Sequence, residues 1–241
     1  LKYLSRQGIE QIGERVIKAY RNLPDNKKST LYRVDPIKLI EEVLKVNLEY
    51  HHLSLDGTVL GVTTPFSGIG YKIFDHDDTE EYFYFDGNTI LVESDLKNDI
   101  SQKGRFNFTL AHEAGHQILK MLFPNDYVGG YRKFYYSLSQ PEYRTHIKDW
   151  EEWQANTLAS VFLMPKDLLV QAMFLFGFKG KIDMINKVYA TKVYERFSNM
   201  AAFLGVSKKA LSIRLKQLGL VERDYLDNSY ELTDVYCEGG S

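Results

Sequence analysis

Three side chains within RFNFTLAHEAGHQILKML, residues 105–122, have the types and spacing for metal chemistry: His112, Glu113 and His116. At 3.6 residues per turn the two histidines fall one turn apart on the same face of a helix. Two neutral imidazoles so placed can reach one ion, each nitrogen about 2.0–2.1 Å from it if the ion is zinc. Glu113 is turned about 100° away from His112, which sets it beside the ion rather than on it. In an HExxH pattern, a carboxylate there takes a proton from a water activated by the metal.

A catalytic zinc usually has three protein ligands and keeps one position open. The third is expected from DWEEWQANTLASVFLMP, residues 149–165, where Glu152 and Asn156 share a helical face and Ala155, Ala159 and Phe162 form the adjoining apolar stripe. The small side chains of Ala155 and Ala159 would let this helix come close to Gly115 and bring Glu152 to the metal. Asn156 would then hold a ligand histidine by its second ring nitrogen. Glu151 is the alternative ligand, and both acids also suit a solvated first turn that favours the helix dipole.

RFNFTLAHEAGH followed by EEWQANTLASVFLMP resembles the ImmA/IrrE family of metallopeptidases, whose pattern is close to RFTLAHELGH, then ExxAN, small residues and LLMP. TILVESDLKN is similar to the family's last strand and loop, and AAFLGVSKKALSIRLKQLGL to its C-terminal helical element. Together these span most of residues 35–222. The resemblance implies His112, His116 and Glu152 as ligands of Zn2+, Glu113 as the catalytic group, and a protein substrate, commonly a helix-turn-helix transcriptional repressor whose cleavage relieves repression. Ala114 stands where the family usually has Leu, and the stretch between His116 and Glu152 is long for the family.

The elements that must position these residues can be read from periodicity. Ile9, Ile12, Val16 and Tyr20 make an amphipathic helix over 5–22, ending near Pro24. Asp35 and Pro36 supply an N-cap and a first-turn proline for a helix through Ile37, Ile40, Val43 and Leu44. Residues 46–92 switch to short strands: LEYHHLSL, TVLGVTTPF, GYKIFD, EYFYFDG and NTILVES, with a hairpin signal at Asp86-Gly87-Asn88. In the HExxH helix, Phe108, Ala111, Ala114, Gly115, Ile118, Leu119 and Leu122 form the core stripe, with Thr109, Glu113, Gln117 and Lys120 mostly opposite. The expected fold is α+β: N-terminal helices, then a small antiparallel sheet packed on a zincin-like HExxH helix and a second ligand helix.

KDLLVQAMFLFGF reads as one more helix. VYERFSNMAAFLGVSKKALSIRLKQLGL has the form of a helix-turn-helix, with Gly205-Val206 as the turn, Ser207 as a cap and Gly219 as the stop. Lys208, Lys209, Arg214 and Lys216 would give its second helix a positive face. DNA binding is one reading of it; packing against the catalytic domain or a protein partner is preferred, since the patch is small. The expected domains are 1–180 (zincin-like), 181–222 (helix-turn-helix-like) and 223–241 (a polar tail).

Composition bounds the rest. A net charge of −2 over 241 residues argues against a mainly nucleic-acid-binding protein, and 44% hydrophobic residues suffice for a buried core. The single cysteine, Cys237, has no internal disulfide partner and fits a reducing compartment. The first segment carries charges throughout, unlike a signal peptide, and no apolar run approaches the roughly 20 residues of a membrane span, so a cytoplasmic location with no membrane partner is expected. Because the first residue is Leu, the chain is expected to be part of a longer gene product. His51 and His52 point to opposite strand faces and suit structural or surface roles. His76 lies in an acidic loop. His146 and Tyr127, Tyr131, Tyr135 and Tyr136 are candidates for a donor to a tetrahedral oxyanion, or for a lid or core.

The sequence therefore points to a zinc-dependent endopeptidase acting on a protein. A second reading keeps the fold without proteolysis, as a regulatory DNA- or protein-binding factor. A third is a toxin–antitoxin component with a purely structural metal, against which the intact HExxH glutamate argues.

Overall fold

The computed structural model describes residues 3–28, 30–64, 66–75, 79–127 and 150–231, which divide into two units, Leu1–Leu163 and Met164–Ser241. Within the first unit α1 (Arg6–Arg21) starts at Ser5, whose hydroxyl accepts the Gly8 N–H, and buries Ile9, Ile17 and Tyr20. A short α2 (Pro24–Lys27) follows. In α3 (Pro36–Lys38) the Asp35 carboxylate accepts the Ile37 and Lys38 N–H groups, the cap that the Asp-Pro pair implies. The helix continues as π-type turns, Leu39–Leu44, and ends at Lys45 with a left-handed backbone.

Five strands follow: β1 (Asn47–His51), β2 (Gly61–Thr64), β3 (Ser67–Phe74), β4 (Glu80–Asp86) and β5 (Thr89–Glu93). All five runs read from the sequence contain a strand, but they are not one antiparallel sheet. The order β1-β5-β2 is mixed, with β1 parallel and β2 antiparallel to β5, while β3 and β4 form a separate ladder joined to the end of β1 through a single bridge, Phe74 to His52. The turn at Asp86-Gly87-Asn88 therefore joins two sheets instead of closing a hairpin. Asp86 Oδ1 accepts the Asn88 N–H, and Gly87 presses on the Phe66–Ser67 backbone, so the chain leaves β4 there. β5 is central and buried along its whole length, which suits its unbroken apolar run Ile90-Leu91-Val92.

After α4 (Ser94–Asn98), α5 (Lys103–Leu122) carries the HExxH motif, and α6 (Trp150–Leu163) packs along it. α1 covers the outer side of α6, and β2 and β5 lie on α5. The polar residues of α5 opposite its apolar stripe are not exposed: Thr109, Glu113 and Gln117 are all buried, the first two against Gly61 of β2. With the core on one side and the sheet on the other, α5 is enclosed over most of its circumference.

The second unit contains α7 (Lys166–Leu175), β6 (Ile182–Ile185), α8 (Thr191–Leu204), α9 (Lys208–Gln217) and β7 (Val221–Asp224). β6 and β7 pair in parallel, an element the sequence reading did not foresee. The unit begins earlier than the expected 180/181 boundary because the segment after Pro165 packs with the C-terminal helices. Phe176 meets Phe203 edge-on, and Arg196 lies over Phe178 while its guanidinium donates to the Gly177 carbonyl. α8 ends at Gly205 (φ 68°), and the Ser207 hydroxyl accepts the Ala210 N–H at the start of α9. Among the described residues no single helix is long and apolar enough to cross a membrane.

Candidate metal centre

The site depends on how closely α5 and α6 approach. A Cβ on Gly115 would lie 3.0 Å from the Ala155 carbonyl oxygen and 3.1 Å from its Cα, so only glycine permits this spacing without displacement. Ala155 and Ala159 are fully buried, as their small size implies. The approach brings Glu152, in the first turn of α6, to the two histidines of α5. Glu152 Oε2 is 3.4 Å from His112 Nε2, Oε1 is 3.3 Å from His116 Nε2, and the two Nε2 atoms are 3.1 Å apart.

Each imidazole is held from behind. His112 Nδ1 is 3.1 Å from Asn156 Oδ1, an oxygen that can only accept, so Nδ1 carries the proton and Nε2 presents a lone pair. His116 Nδ1 is 2.9 Å from the Tyr127 hydroxyl, which can accept from Nδ1–H and so leave Nε2 its lone pair in the same tautomer. Two nitrogen lone pairs and a carboxylate then face one another across little more than 3 Å. Such a set repels itself unless a positive charge sits among the atoms. Ligand atoms bonded at about 2.0–2.1 Å around a tetrahedral ion lie about 3.3–3.4 Å apart, which these separations match. The residues fit a small cation.

The electrostatics agree. Burial pushes the His112 imidazole down, but the neighbouring Glu152 and Glu113 carboxylates and the Asn156 amide outweigh it, and the net direction is up. Burial likewise pushes Glu152 up, yet its contacts with His112 and His116 hold its carboxyl well below the usual range. Burial raises the Tyr127 phenol, reinforced by Glu113, Glu151 and Glu152, so it stays a neutral hydroxyl.

Glu113 lies under the sheet, only 6% exposed. Gly61 of β2 passes over it so closely that a Cβ would be 2.7 Å from Thr109 Cγ2 and 2.9 Å from Glu113 Cγ. The Thr63 hydroxyl is 2.8 Å from Glu113 Oε2 and 3.0 Å from the Glu113 carbonyl. The only local trace of this contact is a glycine two residues before a threonine on a strand. Tyr127, by sequence a candidate oxyanion donor or part of a lid or core, has its hydroxyl on His116. His76, His146, Tyr131, Tyr135, Tyr136 and Cys237 lie outside the described residues.

The other expected features separate from this centre. His51 contacts Glu49 at 3.0 Å, and His52 contacts Glu93 at 3.0 Å. His52, Glu93 and Asp95 also form a group of ligand-type side chains, but Glu93 already accepts the Leu53 N–H at 2.8 Å and caps α4. On α9 the cations are engaged within their own unit. Lys209 pairs with Asp227, Lys216 with Asp224 at 2.8 Å, and Lys208 donates to the Tyr194 hydroxyl at 3.0 Å. Arg214 is wholly buried, its Nε donating to the Met164 carbonyl. Of the four cations expected to make a positive face, two are paired with carboxylates and Arg214 is turned into the interior.

Two imidazoles one turn apart and a carboxylate from a neighbouring helix thus form a group that could hold a cation, with the buried Glu113 beside them. A family model described as the IrrE N-terminal-like domain, a peptidase family, matches residues 70–216. The match covers more than half of the chain and contains the whole centre, and the chain belongs to that family. No curated protein matches it.

Proposed function

We propose that the protein is a zinc-dependent endopeptidase that hydrolyses a peptide bond in a protein substrate. The observation that carries this reading is the convergence of His112 Nε2, His116 Nε2 and the Glu152 carboxylate within 3.1–3.4 Å of one another, with Glu113 next to them in sequence and buried. His112, His116 and Glu152 would hold the ion. When bound, zinc supplies a Lewis acid for the scissile carbonyl and lowers the pKa of a coordinated water to about 7.

The chain's own groups do the rest. Asn156 and Tyr127 fix both imidazoles in the tautomer that turns Nε2 inward. Glu113 takes the proton of the attacking water and delivers it to the leaving amine. Burial under β2 keeps bulk water from its carboxylate. β2 is also a sheet edge among the described strands. The Glu93 N–H goes to the Leu60 carbonyl and Val62 lies opposite Leu91, so Gly61 and Thr63 turn their backbone N–H and C=O groups outward, where an extended peptide can pair. Family membership supports a proteolytic role, and the resemblance in the motifs makes a cytoplasmic helix-turn-helix repressor the expected substrate.

Elemental analysis of purified protein, after zinc addition and dialysis, tests the centre first. About one zinc per chain is expected, lost in His116→Ala and in Glu152→Ala. An internally quenched fluorescent peptide library then tests hydrolysis, with Glu113→Gln as the inactive control. A parent protein that takes up no zinc would overturn the reading.

A further inference from the structure

We infer that Thr63, on the edge strand β2, is the positioning residue for the Glu113 carboxylate, acting through its hydroxyl. The inference rests on the peptidase reading above and adds to it a residue that the HExxH pattern does not contain.

Glu113 is a buried carboxylate, and burial favours many orientations poorly but selects none. Two neighbours on one face of β2 select one. The bare Cα of Gly61 leaves no room for Glu113 Cγ to move toward the strand, since a single added carbon would be 2.9 Å from it. Two residues on, and therefore on the same face, Thr63 places its Oγ1 at 2.8 Å from Glu113 Oε2. A hydrogen bond donated to an ionised oxygen is among the stronger ones, and it fixes Oε2, while Oε1 lies beneath Gly61, where an added Cβ would be 3.1 Å from it. The strand blocks the stem while the hydroxyl ties one oxygen, so the carboxylate is aimed.

The second distance matters as much. Thr63 Oγ1 is also 3.0 Å from the Glu113 main-chain carbonyl, and the hydroxyl has only one hydrogen. While Glu113 is ionised, that hydrogen belongs to Oε2. Valine, of nearly the same shape, can donate to neither oxygen.

The test compares the zinc-loaded full chain with Thr63→Val, Thr63→Ser and Glu113→Gln on the internally quenched peptide library. Thr63→Val is expected to lower kcat roughly 10- to 100-fold, the worth of one hydrogen bond to a charged group, with KM little changed and about one zinc retained. Thr63→Ser, which keeps the hydroxyl, is expected to recover most of kcat. If Thr63→Val does not fold, Thr63→Cys, similar in size but a weak donor, is read the same way. Urea unfolding of the metal-free protein gives a readout independent of turnover. Thr63→Val and Glu113→Gln together are expected to shift stability by an amount that differs from the sum of the single variants. Parent-like kcat in Thr63→Val, a fall in Thr63→Ser as deep as in Thr63→Val, or additive unfolding shifts would each overturn the inference while leaving the peptidase reading intact. A zinc-loaded parent no more active than Glu113→Gln would remove the peptidase reading itself, and this inference with it.

Discussion

Asn156 Oδ1 lies 3.1 Å from His112 Nδ1, one turn beyond the Glu152 carboxylate on the same helix. A single helical face therefore supplies both a candidate ligand, Glu152, and the group that holds a histidine beside it. Tyr127 does the corresponding work for His116 at 2.9 Å, from just beyond the C-terminal end of α5. An imidazole released from such an acceptor rotates and populates the other tautomer, whose Nε2 carries a hydrogen.

Asn156→Ala and Tyr127→Phe are accordingly expected to weaken zinc binding by roughly 10- to 100-fold each, without removing a ligand. Competition against a chromophoric chelator measures this directly. Zinc affinity equal to the parent's in both variants would show that the imidazoles need no such support. Tyr127→Phe leaves the ring in place, so any loss reports on the hydroxyl alone.

The meeting of α5 and α6 at Gly115 gives a second prediction. An alanine there brings its Cβ to 3.0 Å from the Ala155 carbonyl, and the neighbour is backbone on a packed helix, so it cannot swing aside. Gly115→Ala is expected to cost about 1–3 kcal/mol of stability through overpacking, although alanine favours a helix over glycine. Because the helices must part, Glu152 retreats from the histidines and zinc affinity falls as well. Urea unfolding together with the chelator assay tests both halves. A variant as stable as the parent would mean that the close approach carries no energetic weight.

Much of this was legible in the sequence, and the boundary is physical. Periodicity located α1, the strand-bearing runs and the HExxH helix because each is a local pattern of 2 or 3.6 residues. The small residues Gly115, Ala155 and Ala159 announced a close helix pair, since nothing else explains small side chains on facing stripes. What failed was pairing at a distance. Nothing local to Leu48 or Ile90 says that β1 runs parallel to β5, and the Asp86-Gly87-Asn88 signal is the same whether the next strand returns or departs. The residues Thr109 and Glu113 read only as the polar side of α5, and which strand covers them, β2 through Gly61, has no local signature. Thr63 and Glu113 are fifty residues apart, and their contact exists only once β2 has been laid on α5.

Gln117 shows the cost of burying such a polar residue. It is fully buried, and neither its amide nitrogen nor its amide oxygen has a hydrogen-bond partner among the described residues. A buried amide without partners is destabilising, and an apolar side chain of similar length removes the penalty. Gln117→Met is expected to raise stability by about 1 kcal/mol, read from the urea midpoint at unchanged slope. A loss of stability would point to polar partners that the amide does serve.

The last prediction concerns pH and the second unit. Burial pushes the Asp224 carboxyl up, but Lys216, the Ser212 hydroxyl and the Leu226 N–H outweigh it, and its pKa in the folded chain lies below the ordinary carboxylate value of about 3.9. A group whose folded pKa is depressed contributes stability that is fully present above its unfolded pKa and is lost as pH falls through the folded one. Asp224 ties β7 to α9, so protonation loosens the strand from the helix that precedes it. Between about pH 4 and pH 2 the parent is expected to lose stability more steeply than Asp224→Asn, whose amide cannot titrate. The two curves, from urea unfolding of the metal-free protein at each pH, should run parallel above about pH 5, with the parent higher. Because Lys216 is half exposed, salt is expected to shrink the gap without closing it. Curves that stay parallel down to pH 2 would show that the carboxylate is no better placed in the folded unit than in the unfolded chain.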